Sequence, residues 1–189
     1  MKKFLRNLGL AGCIMSITWI LTGCSGSSTP GSTAPSATAI SSGTNASGYP
    51  ELPTAAQPRL QTIKLWMGLQ EMITELAITP MQQETGMMFR TNMAPNEGML
   101  FPYAGPTQVS FWMMNTVLPL SAAYISPDGI IQEIHDFKPF DTNSVVSASN
   151  NIQFVLEASK DYFASNHIGV GALVKTEYGP LRSIFTPGR

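Results

Sequence analysis

Apolar and polar residues alternate through Thr62-Ile63-Lys64-Leu65-Trp66-Met67, break at Gly68, and resume over residues 71–77. A period of two places alternate side chains on one face of a strand, so the two runs predict a β-hairpin turning at Gly68. Thr79-Pro80-Met81-Gln82 follows. Thr79 can cap a helix, Pro80 suits its first position, Gln82 can close a capping box, and Gly86 can end the helix. Strands are predicted over residues 98–101 and 108–113. Residues 121–125 and 130–135 should pair across Pro127-Asp128-Gly129. A further strand is predicted at 151–156, followed by a short helix capped by Ser159 and running to Asn166, with His167 near its end. A last hairpin should join 172–176 to 181–185 across Glu177-Tyr178-Gly179-Pro180. Many short strands and two short helices predict an α+β fold, mainly antiparallel, as a barrel-like or strongly twisted sheet.

Phe111-Trp112-Met113-Met114-Asn115-Thr116 leaves two readings open. The period puts Val109, Phe111 and Met113 on one face and Ser110, Trp112 and Met114 on the other. Both faces are largely apolar, which predicts a strand covered on both sides, with Trp112 buried and Asn115 and Thr116 turning the chain. The other reading makes Trp112 and Met114 a ligand platform beside Asn115 and Arg90. Burial of Trp112, with Asn115, Thr116 and Arg90 at the rim of any site, is the expectation.

The first 57 residues have a different character. Lys2, Lys3 and Arg6 precede an apolar run over residues 8–21, the length of a signal-peptide core and short of the roughly 20 residues a membrane helix needs. Leu21-Thr22-Gly23-Cys24 then resembles the lipobox of bacterial lipoproteins. That resemblance implies cleavage before Cys24, its lipidation, and a membrane anchor of near-permanent strength. Ser25, not Asp, follows the cysteine, which by the same resemblance favours the outer membrane where the host has one. Residues 25–53 are nearly all Ser, Thr, Gly, Ala or Pro, too poor in apolar surface to offset ordering entropy. The expected organisation is a signal peptide at 1–23, a lipidated cysteine and disordered tether at 24–57, and one globular domain at 58–189.

Charge and cysteine narrow the chemistry. Loss of Lys2, Lys3 and Arg6 with the leader leaves eight basic and twelve acidic side chains, a net charge of −4. No basic run exists, so nucleic acid is not an expected partner. Cys13 would leave with the leader and Cys24 would carry lipid, leaving neither a thiol nucleophile nor a disulfide. The chain lacks G-x-S-x-G, H-E-x-x-H, C-x-x-C and phosphate-loop patterns. The methionines, without Met-x-Met or Met-His clustering, read as core filler rather than thioether copper ligands, and neither a metal nor a cofactor is expected. Candidate chemistry therefore rests on single side chains. Arg90 is either ion-paired with Glu157 or Glu97, or an anion-binding fork. Glu157, expected at a strand end, is either structural or a general base. Glu133 and His135 share a strand face and form either a solvent-facing edge or an acid–base pair.

Gly86-Met87-Met88-Phe89-Arg90, Gly98-Met99-Leu100-Phe101, the block Phe111-Trp112-Met113-Met114-Asn115-Thr116 with Pro119-Leu120, Asp128-Gly129-Ile130, Leu156-Glu157 and Ile168-Gly169-Val170-Gly171 together resemble the family known as domain of unknown function 192. The resemblance runs from about residue 60 to 176. It implies a compact β-rich α+β fold, often secreted or lipid-anchored, and brings no established activity. Arg90, Asn115, Thr116 and Glu157 match the family pattern. Gln82-Gln83 stand where the family usually has an acidic–basic pair, Met114 where it has Lys, and Ser121 and Ala172 where it has Asp. Family charges are thus repeatedly neutral here. The function these features favour is a lipid-anchored envelope module binding a small ligand or partner protein without catalysis. The alternative is an envelope hydrolase or transferase using Glu157 or Glu133/His135.

Overall fold

The computed structural model describes residues 52–182, and its first two strands form the hairpin their alternation predicts. Strand β1 (Thr62–Met67) pairs antiparallel with β2 (Gln70–Leu76), and Gly68 takes φ +64 in the turn, where glycine carries no Cβ penalty. Helix α1 (Pro80–Thr85) has the predicted capping box: Thr79 Oγ1 accepts from Gln82 N, and the Gln82 side chain accepts from Thr79 N. Gly86, at φ +45, closes its C-terminus. The signal peptide, Cys24 and most of the tether lie outside the described residues, as do the last seven residues of the chain.

The remaining elements are β3 (Glu97–Thr107), β4 (Ser110–Phe111), β5 (Leu120–Ile125), β6 (Ile131–Phe137), β7 (Val145–Val146), β8 (Ile152–Ser159), α2 (Tyr162–Ser165), β9 (Val174–Thr176) and β10 (Gly179–Pro180). Eight strands form one sheet in the order β10-β9-β1-β2-β3-β8-β5-β6. Among the described residues only β2–β3 is parallel, joined by the crossover that carries α1; the other ladders are antiparallel. The α+β expectation holds as an open, twisted sheet, not a barrel. One bridge, Ile130 to Leu173, ties the start of β6 to β9 without a closing ladder.

Four local expectations differ. Residues 108–113 form a strand only at Ser110–Phe111, paired with β7, because Trp112 and the turn after it leave the ladder. Strand β8 runs to Ser159, so Ser159 caps no helix; the short α2 begins after Asp161, which is left-handed and makes no side-chain cap. The last hairpin pairs β9 with Gly179–Pro180, inside the predicted turn, while residues 183–185 of its predicted second strand lie outside the described residues. Glu157 therefore lies inside a strand, not at its end.

The period of two divides the interior between the two faces of the sheet. Leu65, Met72, Leu100, Phe154, Leu156 and Val174 pack on one face with Phe163 of α2. Met99, Phe101, Ala122, Tyr124, Phe137 and Val155 pack on the other with Met87 and Met113. Glu157 is two residues beyond Val155 and so shares the second face. Its partners in register are Met99 on β3 and Ala122 on β5.

Candidate functional site

Glu157 sits on the central strand of the sheet with 5% of its surface exposed. Among the described residues its carboxyl has no hydrogen-bond or ion-pair partner. It lines a cavity of about 360 Å³ between the sheet face, the end of α1 and the 110–116 segment. That volume lies in the range of small-molecule sites. Ala122 lies beside Glu157 in register on β5 and is itself fully buried in the core. Gly98 is equally constrained from behind: a Cβ there would lie 2.6 Å from the Glu157 carbonyl oxygen and 2.6 Å from the Met72 sulfur.

Aromatic rings form one part of the cavity wall, beside polar residues that include Ser110, Thr116 and Glu84: Phe101 and Phe111 meet edge-on with centroids 5.2 Å apart, and Tyr103 and Trp112 also line it. Met87 and Gly86 supply the side under α1, with Glu84 on the last turn of that helix. Gln83 also lines the cavity, its Nε2 donating to the carbonyls of Ala77 and Pro102 at 3.1 and 2.8 Å. Thr116 is buried and donates to the Met114 carbonyl at 3.1 Å.

Electrostatics follow from this burial. With no donor to compensate its lost hydration, Glu157 is pushed up to about 8, so its neutral form predominates at pH 7. Burial, with a smaller contribution from the Glu157 charge, pushes the Tyr103 phenol up to about 12. Burial first, then the charges of Glu157, Glu133 and Tyr103, raise Tyr124, whose hydroxyl donates to the Val145 carbonyl at 2.9 Å.

Of the five candidate binding residues, Trp112, Thr116 and Glu157 come together around this cavity. The expected burial of Trp112 is overturned: the indole is 39% exposed, while Val109 and Met113 on the opposite face are buried. The stretch alternates as its period requires, but only one face is covered. Asn115 adopts a left-handed backbone at φ +54, and its carbonyl accepts from Phe89 N at 2.8 Å. It turns the chain and does not line the cavity.

Arg90 belongs to a second cavity, of about 340 Å³, on the other side of Met87. Its partner is neither Glu157 nor Glu97 but Glu75, gripped by both terminal nitrogens at 2.6 and 2.8 Å. Burial would raise Glu75, but the Arg90 hydrogen bonds and Leu60 N outweigh it and hold the carboxylate below its usual range. Glu97 is taken by Arg59. The arginine fork is thus spent on the fold. Glu133 is similarly committed: it accepts from Ala148 N, Ser149 N and His135, which outweigh its burial and keep its pKa low. His135, on β6 at the end of the sheet, is partly exposed and meets Tyr124 at a tilt with ring centroids 4.9 Å apart. No group of three or more His, Cys, Asp or Glu side chains suited to a metal occurs among the described residues.

Sequence reasoning missed Glu84, Tyr103, Phe101 and Phe111 as cavity walls. Gly86 ending a helix just after Glu84 was the available signal for the first. The family profile of "Uncharacterized ACR", DUF192, matches residues 63–176, more than half of the chain. The chain belongs to the DUF192 family. No curated protein matches it. Two solved structures resemble this DUF192 chain. A protein from Sinorhizobium meliloti 1021, described as a "putative transcription regulator", is 29% identical with a TM-score of 0.59, covering 64% of this chain and 98% of that one. A protein of unknown function from Novosphingobium aromaticivorans is 31% identical with a TM-score of 0.58, covering 64% of this chain and 91% of that one.

Proposed function

We propose that this DUF192 protein is an exported lipoprotein, anchored through Cys24, whose globular domain binds a small ligand in the cavity floored by Glu157. The observation that supports binding is the unpartnered carboxyl. A largely buried carboxyl that no protein group donates to, opening into a cavity with aromatic side chains in its wall, is a place where a ligand can supply the missing donor. Trp112 at 39% exposure gives such a ligand an apolar surface to cover. The anchor rests on the leader and the Leu21-Thr22-Gly23-Cys24 tetrad, and the Ser/Thr/Gly/Ala/Pro-rich segment is a spacer between bilayer and domain. Its setting is the bacterial envelope, at the outer membrane where the host has one. No helix among the described residues is long and apolar enough to cross a membrane. The mature net charge of −4 argues against nucleic acid as partner.

One observation favours an enzymatic reading: Glu84 and Glu157 line the same cavity, and two carboxyls of unlike environment can divide acid and base roles. Glu133 and His135 do not share that support, because Glu133 is held by backbone N–H groups. Native mass spectrometry of the full chain extracted from membranes separates these readings. Binding predicts a small bound mass that disappears in Glu157→Gln and Trp112→Ala while both variants stay folded. A wild-type protein that carries no added mass from native membranes contradicts it, and turnover of the released compound would move the assignment to the enzyme.

A further inference from the structure

The lining of the cavity discriminates by charge, an inference that rests on the binding function proposed above. Its two ionisable carboxyls, Glu157 at the floor and Glu84 on α1, face no Lys, Arg or His in the lining. Arg90, across Met87, is clamped by Glu75 and lines the other cavity. The amide donors of Gln83 are spent on Ala77 and Pro102, and the Thr116 hydroxyl on Met114. An anionic ligand would therefore meet two acidic groups and no cationic donor. A cation would meet carboxyl acceptors and four aromatic rings, whose π faces attract positive charge.

We propose that the cavity takes a small organic ammonium ion, its N–H groups on the Glu157 carboxylate and its carbon skeleton against Phe111 and Trp112. The site is built for this rather than merely acidic, because Glu157 is nine-tenths buried, unpartnered, and placed by the central strand of the sheet.

A proton must move when the ammonium binds. The titratable groups that feel the Glu157 charge are Tyr103 from β3 and Tyr124 from β5; Glu84 of α1, exposed to solvent, lines the same cavity. His135 and Glu133 on β6 lie beyond Tyr124 and hydrogen-bond to each other. The 110–116 segment contributes no ionisable side chain. The empty cavity at pH 7 therefore holds Glu157 largely as the neutral acid. An ammonium stabilises the carboxylate instead, so binding expels the carboxyl proton to solvent, roughly 0.9 per ligand at pH 7 by linkage.

The test is calorimetric titration of the full chain with three probes of one shape: phenethylamine, 2-phenylethanol and phenylacetate, each in two buffers of different ionisation enthalpy. Phenethylamine should bind at least tenfold tighter than either congener. Its heat should differ between buffers by close to one proton at pH 7 and by little at pH 9. Glu157→Gln should weaken it at least tenfold and remove the buffer dependence. Equal or tighter binding of the alcohol or the acid overturns the ammonium assignment but leaves a binding cavity in place. Phenethylamine binding undiminished in Glu157→Gln overturns it too. If none of the three binds, the binding function falls with it.

Discussion

Replacing Glu157 by Gln should stabilise the domain, and by an amount that depends on pH. The carboxyl is held near 8 in the folded protein against an ordinary value of 4.5. A carboxyl raised on folding takes up a proton as the chain folds. Its cost is absent below 4.5, grows as pH rises from 4.5 to 8, and levels above 8. Each pH unit in that window costs about 1.4 kcal/mol, so the penalty is about 3 kcal/mol at pH 7. Glutamine is nearly isosteric and carries no ionisation to suppress. Urea unfolding of the full chain should show wild type and Glu157→Gln alike near pH 4.5. At pH 7 the variant midpoint should lie about 1.5 M higher for a slope of about 2 kcal/mol per M. Glu75, Glu97 and Glu133 are held low, so the stability they contribute is lost on the acid side, as pH falls below about 4.5. That loss is common to both proteins and cancels in the difference. A difference that is flat between pH 4.5 and 8, or a variant less stable at pH 7, would refute the reasoning.

In a Trp19→Phe/Trp66→Phe background, Trp112 should emit to the red and be readily quenched by acrylamide. Trp112→Ala should cost about 1 kcal/mol, far below the 3–5 kcal/mol of emptying a buried aromatic site such as Phe154; blue-shifted, protected emission would return the residue to the core. Arg90→Met should cost about 3–5 kcal/mol in denaturant unfolding, because it leaves Glu75 buried without its bidentate partner. A neutral outcome would mean that the pair is solvated. Gly98→Ala should lower stability by about 1–3 kcal/mol, since the added methyl meets the Glu157 carbonyl and the Met72 sulfur. Labelled palmitate should enter the wild-type chain and not Cys24→Ser; equal labelling of the two removes the proposed anchor.

The elements that sequence made legible are those with local causes. The first hairpin follows from period-two alternation broken at Gly68, and α1 from the Thr79–Gln82 capping box with Gly86 behind it. Strand length was less legible. Residues beyond Leu156 lie on a strand because β3 and β5 flank them on both sides, a fact of long-range pairing that no local pattern carries. The same holds for Trp112. Alternation correctly divided Val109, Phe111 and Met113 from Ser110 and Trp112, but an apolar residue type does not reveal whether anything packs on its side. Arg90 was assigned the wrong carboxylate because Glu75, fifteen residues earlier, is brought to it by the hairpin and the crossover. Glu157 was named from its match to the family pattern, and its significance emerged only with the sheet. A carboxyl in the middle of a buried strand, beside Ala122 and facing a cavity, has a different chemistry from one at a solvated strand end.

The most direct measurement of that chemistry is a carbon-13 NMR titration of the Glu157 side-chain carboxyl in the full chain, assigned by its loss in Glu157→Gln. Without ligand the signal should titrate with a midpoint near 8, and saturating phenethylamine should move the midpoint down by at least about two pH units, as release of most of a proton at pH 7 requires. A midpoint near 4.5 that phenethylamine leaves unchanged would contradict both the buried, unpartnered carboxyl and the ligand it is proposed to hold.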